Sequence, residues 1–463
     1  YVIKNKSEDE ERIRSLMELL DKNNIQYGTA TGNSKGYHYQ NKKEEAFTIS
    51  PGDLVISASQ PKAAMVKVLF EPQSKLEDSA TYDITAWALP YVYGLNTFAS
   101  KQMININYGK QGADFINNNP EDEYGYVIRW QGTSSAKTVA QLLAKGIKMR
   151  FSQEPFEVSG QQFDRGSVII TKKGNTGFGN ALWNEIAKVC NENKVQMNAV
   201  NTGMVQKGYD FGSDLVHALI APKVAMLTGE GVSSTAAGDV WSFFDNELKY
   251  KITLINASDF NRINLNDIDV LILPDGYYRF LNDKESSAAL QQWIEKGGRV
   301  IAMESAVSQL SKQEWSIIKS KTDDADKGKE KNNEDYSALL PYESRERDPL
   351  SNSTPGAIFK VDVDNTHPLM YGYPSYYYTL KMDNSVYEFI KDGGWNVGVL
   401  KKENLMAGYV GYKLSPRLKD GLLFGVQDMG NGNITYLSDN VLFRNFWKNG
   451  ELMFCNAVFM VGQ

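Results

Sequence analysis

Three stretches between residues 222 and 310 decide the fold: VAMLTGEG (224–231), VLILPDGY (270–277) and VIAMESA (300–306). Each begins with four apolar residues and passes into polar or turn-forming ones, and helical patterns lie between the stretches. Short apolar runs that alternate with helices are typical of buried strands in a parallel sheet. Ligands bind such sheets where the carboxyl ends of the strands meet the loops. A candidate pocket is therefore expected just after the three apolar runs.

The candidate pocket takes residues from all three loops: Glu230, Gly276, Tyr277, Glu304 and Ser305. Glu230 and Glu304 both follow predicted parallel strands, so they could face one crevice. Two carboxylates in one cleft can divide acid and base roles if their environments separate their pKa values. The alternative is that both are surface or hydrogen-bonded structural carboxylates.

The order of strands and turns resembles the class I glutamine amidotransferase-like superfamily, including its intracellular-protease branch. This resemblance implies a flavodoxin-like, three-layer parallel-sheet domain. Members carry a Cys on a sharp strand-to-helix turn, followed by His-Gly or a similar pair. Here Glu304 stands at the Cys position and Ser305 follows it; a shift by one residue would put Ser305 at the turn, with no His nearby.

A carboxylate is a poor nucleophile for amide chemistry beside an activated Cys thiolate. The resemblance therefore predicts the scaffold without amidotransferase activity. The alternative is an ordinary α/β domain in which Glu304 is incidental.

Length and composition set wider bounds. A chain of 463 residues suggests two to four domains, and 42% hydrophobic residues supply ample core material. The net charge of −6 argues against a nucleic-acid partner. No apolar run is long enough for a membrane span. The chain begins at Tyr1 with neither Met nor a signal peptide, which suggests a processed or excised piece. Cys190 and Cys455 are expected to be buried free thiols.

Residues 1–75 and 126–191 look like two copies of one β-α-β-β-α unit. Both open with YVI and continue with an amphipathic helix. In both, Gly precedes the last strand, and a second helix follows that strand. The sequence therefore predicts a duplicated α/β region over residues 1–220, followed by the amidotransferase-like domain over 221–463. A strand at the first residue would be an exposed edge unless another strand lay beside it, which hints at a missing N-terminal partner domain.

A second resemblance concerns most of the chain. The stretch YDITAWALPY (82–91) resembles a region downstream of the catalytic domain in large secreted zinc carboxypeptidase-like proteins of Bacteroidetes type. Further stretches that fit this type are YVI (1–3), SPGDLVI (50–56), GDVW (238–241), FRNFW (443–447) and NA (456–457). The resemblance implies the C-terminal region of such a protein, periplasmic or secreted, with its zinc in a preceding domain that is absent here.

The histidines do not supply the zinc ligands of that family. Its first ligand pair is His-x-x-Glu, and none of His38, His217 and His367 has Glu three residues later. His38 is expected in a solvated loop, His217 packed in an apolar stretch, and His367 in a structural turn. No cofactor and no metal site are therefore expected in this chain.

Two further features have alternative interpretations. The tyrosine clusters YYY (376–378) and YVY (91–93) could form a platform for a sugar or peptide, or could pack strands. The mixed-charge run 319–335 predicts a mobile insertion that reaches to about residue 350.

The sequence thus predicts a non-catalytic accessory region that supports the peptidase domain of the same protein or binds a peptide or glycan. One alternative is a free-standing hydrolase that uses Glu304, Ser305 or Glu230. Another is a carbohydrate- or peptide-binding module built on the tyrosine clusters. The hydrolase would use Glu304, Ser305 or Glu230 at the strand ends, whereas the binding module would use the tyrosine clusters.

Overall fold

The computed structural model describes residues 1–74, 76, 78, 81, 83–109, 116–117, 123–321, 341–345, 347–402 and 404–463. The predicted insertion falls mostly on residues 322–340, which lie outside the described residues, as does Tyr82 of the carboxypeptidase-like stretch. The α-helices are α1 (Glu10–Lys22), α2 (Ala63–Phe70), α3 (Leu89–Val92), α4 (Thr133–Ala144), α5 (Leu182–Glu192), α6 (Ser234–Ser242), α7 (Lys284–Glu295), α8 (Ser305–Leu310) and α9 (Glu451–Phe459).

The strands belong to three large sheets and one hairpin. Those before residue 220 are β1 (Val2–Ile3), β2 (Gly28–Thr29), β3 (Gly32–His38), β4 (Lys43–Ile49), β5 (Leu54–Val55), β6 (Thr97–Ala99), β7 (Asn107–Tyr108), β8 (Gly125–Ile128), β9 (Met149–Ser152), β10 (Phe156–Val158), β11 (Gln161–Phe163), β12 (Val168–Thr171), β13 (Asn198–Val200) and β14 (Val216–Leu219). The later ones are β15 (Val224–Thr228), β16 (Ile252–Asn256), β17 (Val270–Leu273), β18 (Arg299–Met303), β19 (Ala357–Val363), β20 (Tyr376–Lys381), β21 (Gly394–Leu400), β22 (Leu405–Ala407), β23 (Gly421–Met429) and β24 (Gly432–Leu437).

The first two sheets have the same topology. The first runs β4-β3-β6-β1-β5-β2-β7 and the second runs β13-β8-β12-β9-β14. When the β3–β4 hairpin is set aside, each strand of the first sheet corresponds in order to one strand of the second. In the second unit the hairpin β10–β11 forms a separate two-stranded sheet. This shared order confirms the predicted duplication.

The first strand is not an edge. β1 pairs antiparallel with β5 on one side and with β6 on the other, so that Val2 lies opposite both Val55 and Phe98. The condition for an exposed edge is not met, because β1 has neighbours on both sides that come from residues far along the chain. Val2 and Ile3 are fully buried.

The third sheet confirms the flavodoxin-like prediction. Its parallel part has the order β16-β15-β17-β18-β24, which is 2-1-3-4-5 in chain order. Strands β23, β21, β19 and β20 extend it antiparallel beyond β24, and β22 pairs with β19. The three apolar runs, 224–227, 270–273 and 300–303, form β15, β17 and β18, which are buried along almost their whole length.

Helix α9 joins the parts of the molecule. Its sequence ELMFCNAVF is apolar on nearly all sides, and all nine residues are buried. The one amide in it, Asn456, accepts a hydrogen bond from the indole of Trp130 and donates to the carbonyls of Leu369 and Tyr371. Because Trp130 belongs to the second repeat unit, this buried network ties that unit to the third sheet. Cys455 on the same helix is a buried free thiol, as predicted, and so is Cys190 on α5.

The tyrosine clusters lie in the core. Tyr377, Tyr378 and Tyr91 are each at most 1% exposed, and the rings of Tyr91 and Tyr378 meet at 4.9 Å. Burial raises the pKa of Tyr91 and Tyr378 above the ordinary range. Tyr377, Tyr378 and Tyr91 therefore cannot form a ligand platform, because these rings are buried; the contact between Tyr91 and Tyr378 packs α3 against β20.

Candidate functional site at the carboxyl ends of the parallel strands

Glu304 occupies a sharp turn between β18 and α8. Its backbone has φ 50° and ψ −120°, a conformation that costs a residue with a β-carbon about 1–3 kcal/mol. The turn is fixed on both sides: the amide of Glu304 donates to the carbonyl of Leu437 at the end of β24, and its carbonyl accepts from Val307 in α8. The predicted strand-to-helix turn is present, with Glu304 at its centre and Ser305 as the first helical residue.

Ser305 contacts the loop that follows β17. Its hydroxyl donates to the carboxylate of Asp275, and its amide donates to the same carboxylate at 3.2 Å. The amide of Gly276 donates to the Ser305 hydroxyl at 3.1 Å. No histidine approaches Ser305 among the described residues, so the shifted alignment with Ser305 as nucleophile finds a carboxylate partner and no imidazole.

Gly276 serves the close approach of two loops. It pairs with Val232 in the loop after β15, and the amide of Tyr277 donates to the carbonyl of Gly231 at 2.7 Å. A β-carbon on Gly276 would lie 2.8 Å from the Gly231 carbonyl oxygen, closer than atoms tolerate. The predicted pocket residue is therefore a packing residue here.

Glu230 and Tyr277 lie on the surface above these loops. The Glu230 side chain is 67% exposed and pairs with Arg279 at 2.9 Å. Tyr277 is 59% exposed, and its hydroxyl accepts from the amide of Asn282. An ion pair this exposed contributes little to stability. Of the two alternatives, Glu230 fits the surface carboxylate, because it turns outward to Arg279 while the carboxyl of Glu304 turns inward.

The carboxyl of Glu304 points into a cavity of only about 20 Å³, which is also lined by Asp383, Ser438 and Asp439. Burial raises the pKa of Glu304 to about 8, and the negative charges of Asp275, Asp383, Asp439 and Asp239 add to the effect. One of its oxygens, Oε2, is buried with no hydrogen-bond partner among the described residues, as is the Ser438 hydroxyl. A cavity of this volume admits about one water molecule.

A buried ion pair adjoins this cavity. The ammonium group of Lys381, at the end of β20, contacts Asp439 at 2.9 Å and Asp383 at 2.7 Å, and the side chains of Lys381 and Asp439 are 0% and 2% exposed. Thr379 donates to the other oxygen of Asp439 at 2.7 Å. Burial lowers the pKa of Lys381, but the two carboxylates outweigh that effect and raise it. Burial raises the pKa of Asp439, and Lys381 offsets part of that increase.

Sequence reasoning missed Lys381, Asp383 and Asp439. A signal for Asp439 was available, since it follows β24, the parallel neighbour of β18, and so belongs to the same edge of the sheet. No local signal marks Lys381 and Asp383, because their antiparallel strand reaches the site from another part of the chain.

At neutral pH this arrangement holds a protonated Glu304 next to a neutralised Lys–Asp pair. A neutral carboxylic acid can donate a hydrogen bond or a proton to a substrate that reaches it. Here the cavity is too small for a substrate group larger than water, and the strained turn points the carboxyl away from the exposed Ser305.

The histidines lie elsewhere. His38 ends β3 and is 7% exposed; it stacks on Phe98 and bonds to Asn96, so the predicted solvated loop is wrong. His217 is half-buried on β14. His367 lies in a turn, as predicted, where its Nδ1 accepts from the Leu369 amide, and burial lowers its pKa to about 4. Within the described residues, no three His, Cys, Asp or Glu side chains are grouped so as to hold a metal ion.

The likeness of this chain to known proteins is confined to solved structures. No family model matches the sequence, and no curated protein matches it. Among solved structures, the chain is similar to a putative ThuA-like protein from Bacteroides uniformis (12% identity, 51% of this chain and 89% of that chain, TM-score 0.30) and to another from Parabacteroides merdae (11%, 51% and 88%, 0.33). It is also similar to a glutamine amidotransferase from Thermotoga maritima (10%, 48% and 76%, 0.30).

In the part of the chain that the structure describes, none of the helices is both long enough and apolar enough to cross a membrane.

Proposed function

We propose that this chain is a non-catalytic accessory region of a larger zinc carboxypeptidase-like protein that is periplasmic or secreted. It supports the peptidase domain of that protein or binds its substrate. The observation that carries the non-catalytic part is the position of Glu304: a carboxylic acid fills the strand-to-helix turn and faces a cavity of about 20 Å³. The parentage is supported by the sequence resemblance, whose late motifs form core contacts here.

Those late motifs have structural roles that suit a supporting region. The indole of Trp447, in the FRNFW stretch, donates to the Tyr377 hydroxyl and the Tyr378 carbonyl, and Asn456 joins three segments. Neither residue reaches the surface. Residues of this kind hold the segments of this chain together, which is a structural and not a catalytic role.

The first test is an activity measurement on the purified chain. N-blocked dipeptides with free carboxyl ends should show no turnover above buffer, with or without added zinc. Turnover that a chelator abolishes would contradict the non-catalytic assignment. In the full-length parent protein, a peptidase domain with a His-x-x-Glu pair is expected before Tyr1, and removing the present chain should lower the melting temperature or the kcat/KM of that domain.

A hydrolase is the second candidate, favoured by one contact. The exposed Ser305 hydroxyl donates to the Asp275 carboxylate, which is the geometry of a weakly activated nucleophile. Ester hydrolysis that is lost in Ser305→Ala and kept in Glu304→Gln would support this candidate. If neither substitution changes the rate of ester hydrolysis, the hydrolase candidate is excluded.

A further inference from the structure

A larger cavity lies at the junction of the two repeat units and the third sheet. Its volume is about 340 Å³, and its walls come from α1, the start of α4, the end of α5 and the segment that leads into α9. A second cavity of about 570 Å³ shares Glu11, Arg14, Gln131 and Lys194 with it, so the space continues between the repeat units. We refer to the first space, lined by Glu11, Lys137, Glu192 and Glu451 among others, as the junction cavity.

The charges of the junction cavity are balanced. Five carboxylates and five cationic side chains line it. Most of them are held by neighbours: Lys448 contacts Glu451 at 2.6 Å, and Lys194 contacts Glu18 at 3.2 Å. A wall that is neutral overall but densely charged does not favour a polyanion such as a nucleotide, and it does not favour an apolar ligand either.

Other charged groups of the wall are bonded to backbone. The carboxylate of Glu11 accepts from the amides of Ser134 and Ser135 in the first turn of α4, at 3.0 and 3.3 Å. Arg14 donates to the Lys194 carbonyl at 2.6 Å. Burial raises the pKa of Glu11 and of Glu451, and perturbed carboxyls of this kind cluster at binding sites.

Arg12 and Glu247 also have partners for their charged groups. Arg12 bonds to Asp9 and to the Gly94 carbonyl, and Glu247 lies 3.7 Å from Lys448. Two lining charges remain, one of each sign. Among the residues that the structure describes, Lys137 and Glu192 have neither an ion-pair nor a hydrogen-bond partner for their charged groups.

Lys137 and Glu192 lie on adjacent helices. Lys137 is half-buried near the start of α4, and Glu192 is the last residue of α5. Lys137 is half-buried, and a partly buried charge that has no partner is unfavourable, so an anionic ligand group would relieve it. Glu192 is exposed, and it would attract the cationic end of the same ligand from the rim of the cavity.

We propose that the junction cavity binds a small zwitterion, an amino acid or a short peptide, with its carboxylate on Lys137 and its ammonium group on Glu192. This site is distinct from the strand ends of the third sheet. It does not depend on the carboxypeptidase parentage, so its failure would leave the proposed function untouched.

The test uses triglycine as the probe, titrated into the purified chain in a calorimeter at pH 7. At this pH the peptide carries one charge at each end. Saturable binding is expected, and Lys137→Met and Glu192→Gln should each weaken it by about tenfold or more, as the loss of one charge-assisted contact would. Triglycine that is N-acetylated and C-amidated should not bind.

Lys188→Met is the matched control, since Lys188 is exposed on α5 outside the cavity and should leave the affinity unchanged. Melting temperatures of all variants establish that they fold. The proposal is overturned if triglycine gives no saturable heat up to about 10 mM. It is also overturned if Lys137→Met keeps the affinity of the unmodified chain, or if the capped peptide binds as well as the free one.

Discussion

The strand ends of the third sheet and the junction cavity differ in whether their charged side chains have partners. Around Glu304, a strained turn and a buried Lys381–Asp439 pair close on a space of about 20 Å³. In the junction cavity, about 340 Å³ is open, and two lining charges of opposite sign have no partner among the residues that the structure describes. In open α/β sheets ligands bind at the strand ends, so fold-level reasoning selects the first region. Open volume and charges without partners, rather than the fold, therefore select the junction cavity as the proposed ligand site.

The largest effect is expected at the buried ion pair. Lys381→Met should lower the free energy of unfolding by about 3–5 kcal/mol, because it leaves the Asp439 charge buried without its partner. Urea denaturation measures this loss. The control is Lys145→Met, which breaks the exposed pair of Lys145 with Glu185 and should cost within about 1 kcal/mol.

The double substitution Lys381→Met with Asp439→Leu should recover much of that loss, because no charge then stays buried. A Lys381→Met variant as stable as the control variant would show that solvent reaches Asp439. The strand ends would then be as accessible as the junction cavity, which contradicts the difference between the two regions.

A pH effect is expected next. The pKa of Glu304 is about 8 in the folded chain and near its ordinary value of 4.5 when unfolded, so the folded state favours the protonated form. The stabilisation is complete below about pH 4.5 and is lost as the pH rises through about 8. At about 1.4 kcal/mol per pKa unit, relaxation of the site and entry of water should leave a change of about 2–4 kcal/mol.

Glu304→Gln measures this contribution, since the amide keeps the shape and cannot ionise. The difference in unfolding free energy between the two proteins should change across pH 5–8 and be flat below about pH 4.5. A difference that stays constant over the whole range would mean that the Glu304 carboxyl is solvated.

A smaller effect is expected at the wall of the junction cavity. Glu11→Ala removes the carboxylate that accepts from two amides at the start of α4, and should cost about 1–2 kcal/mol, as the loss of a helix cap does. Glu18→Ala on the same helix, where Glu18 is exposed and pairs with Lys194, should cost under about 1 kcal/mol. Equal losses for the two substitutions would show that Glu11 does not hold α4 in place.

The parallel strands and the turn at Glu304 could be predicted because the signal is local: four apolar residues and then a polar break. The duplicated units were also visible, since each repeats the YVI opening and the Gly before its last strand. The neighbours of β1 could not be predicted, because β5 and β6, which flank it, lie about 50 and 95 residues further along the chain. Strand pairing over such distances leaves no trace in a short stretch.

The candidate site was only partly predictable for the same reason. Gly276 and Ser305 do meet, as expected of loops at one edge of a parallel sheet. Lys381 reaches the site from an antiparallel strand, and Tyr378 on that strand is buried against Tyr91 of α3. Packing between residues far apart in the sequence therefore determines both the position of Lys381 and the burial of Tyr378.

The contrast between the two regions is tested most directly by carboxyl labelling with a water-soluble carbodiimide and an amine, followed by tryptic digestion and mass spectrometry. The peptides 300–312 and 189–194 each contain a single carboxyl side chain, Glu304 and Glu192 respectively. In the folded chain, Glu192 should be labelled readily and Glu304 should stay unlabelled until the chain is denatured. Labelling of Glu304 at a rate comparable to that of Glu192 would contradict a closed turn at the strand ends.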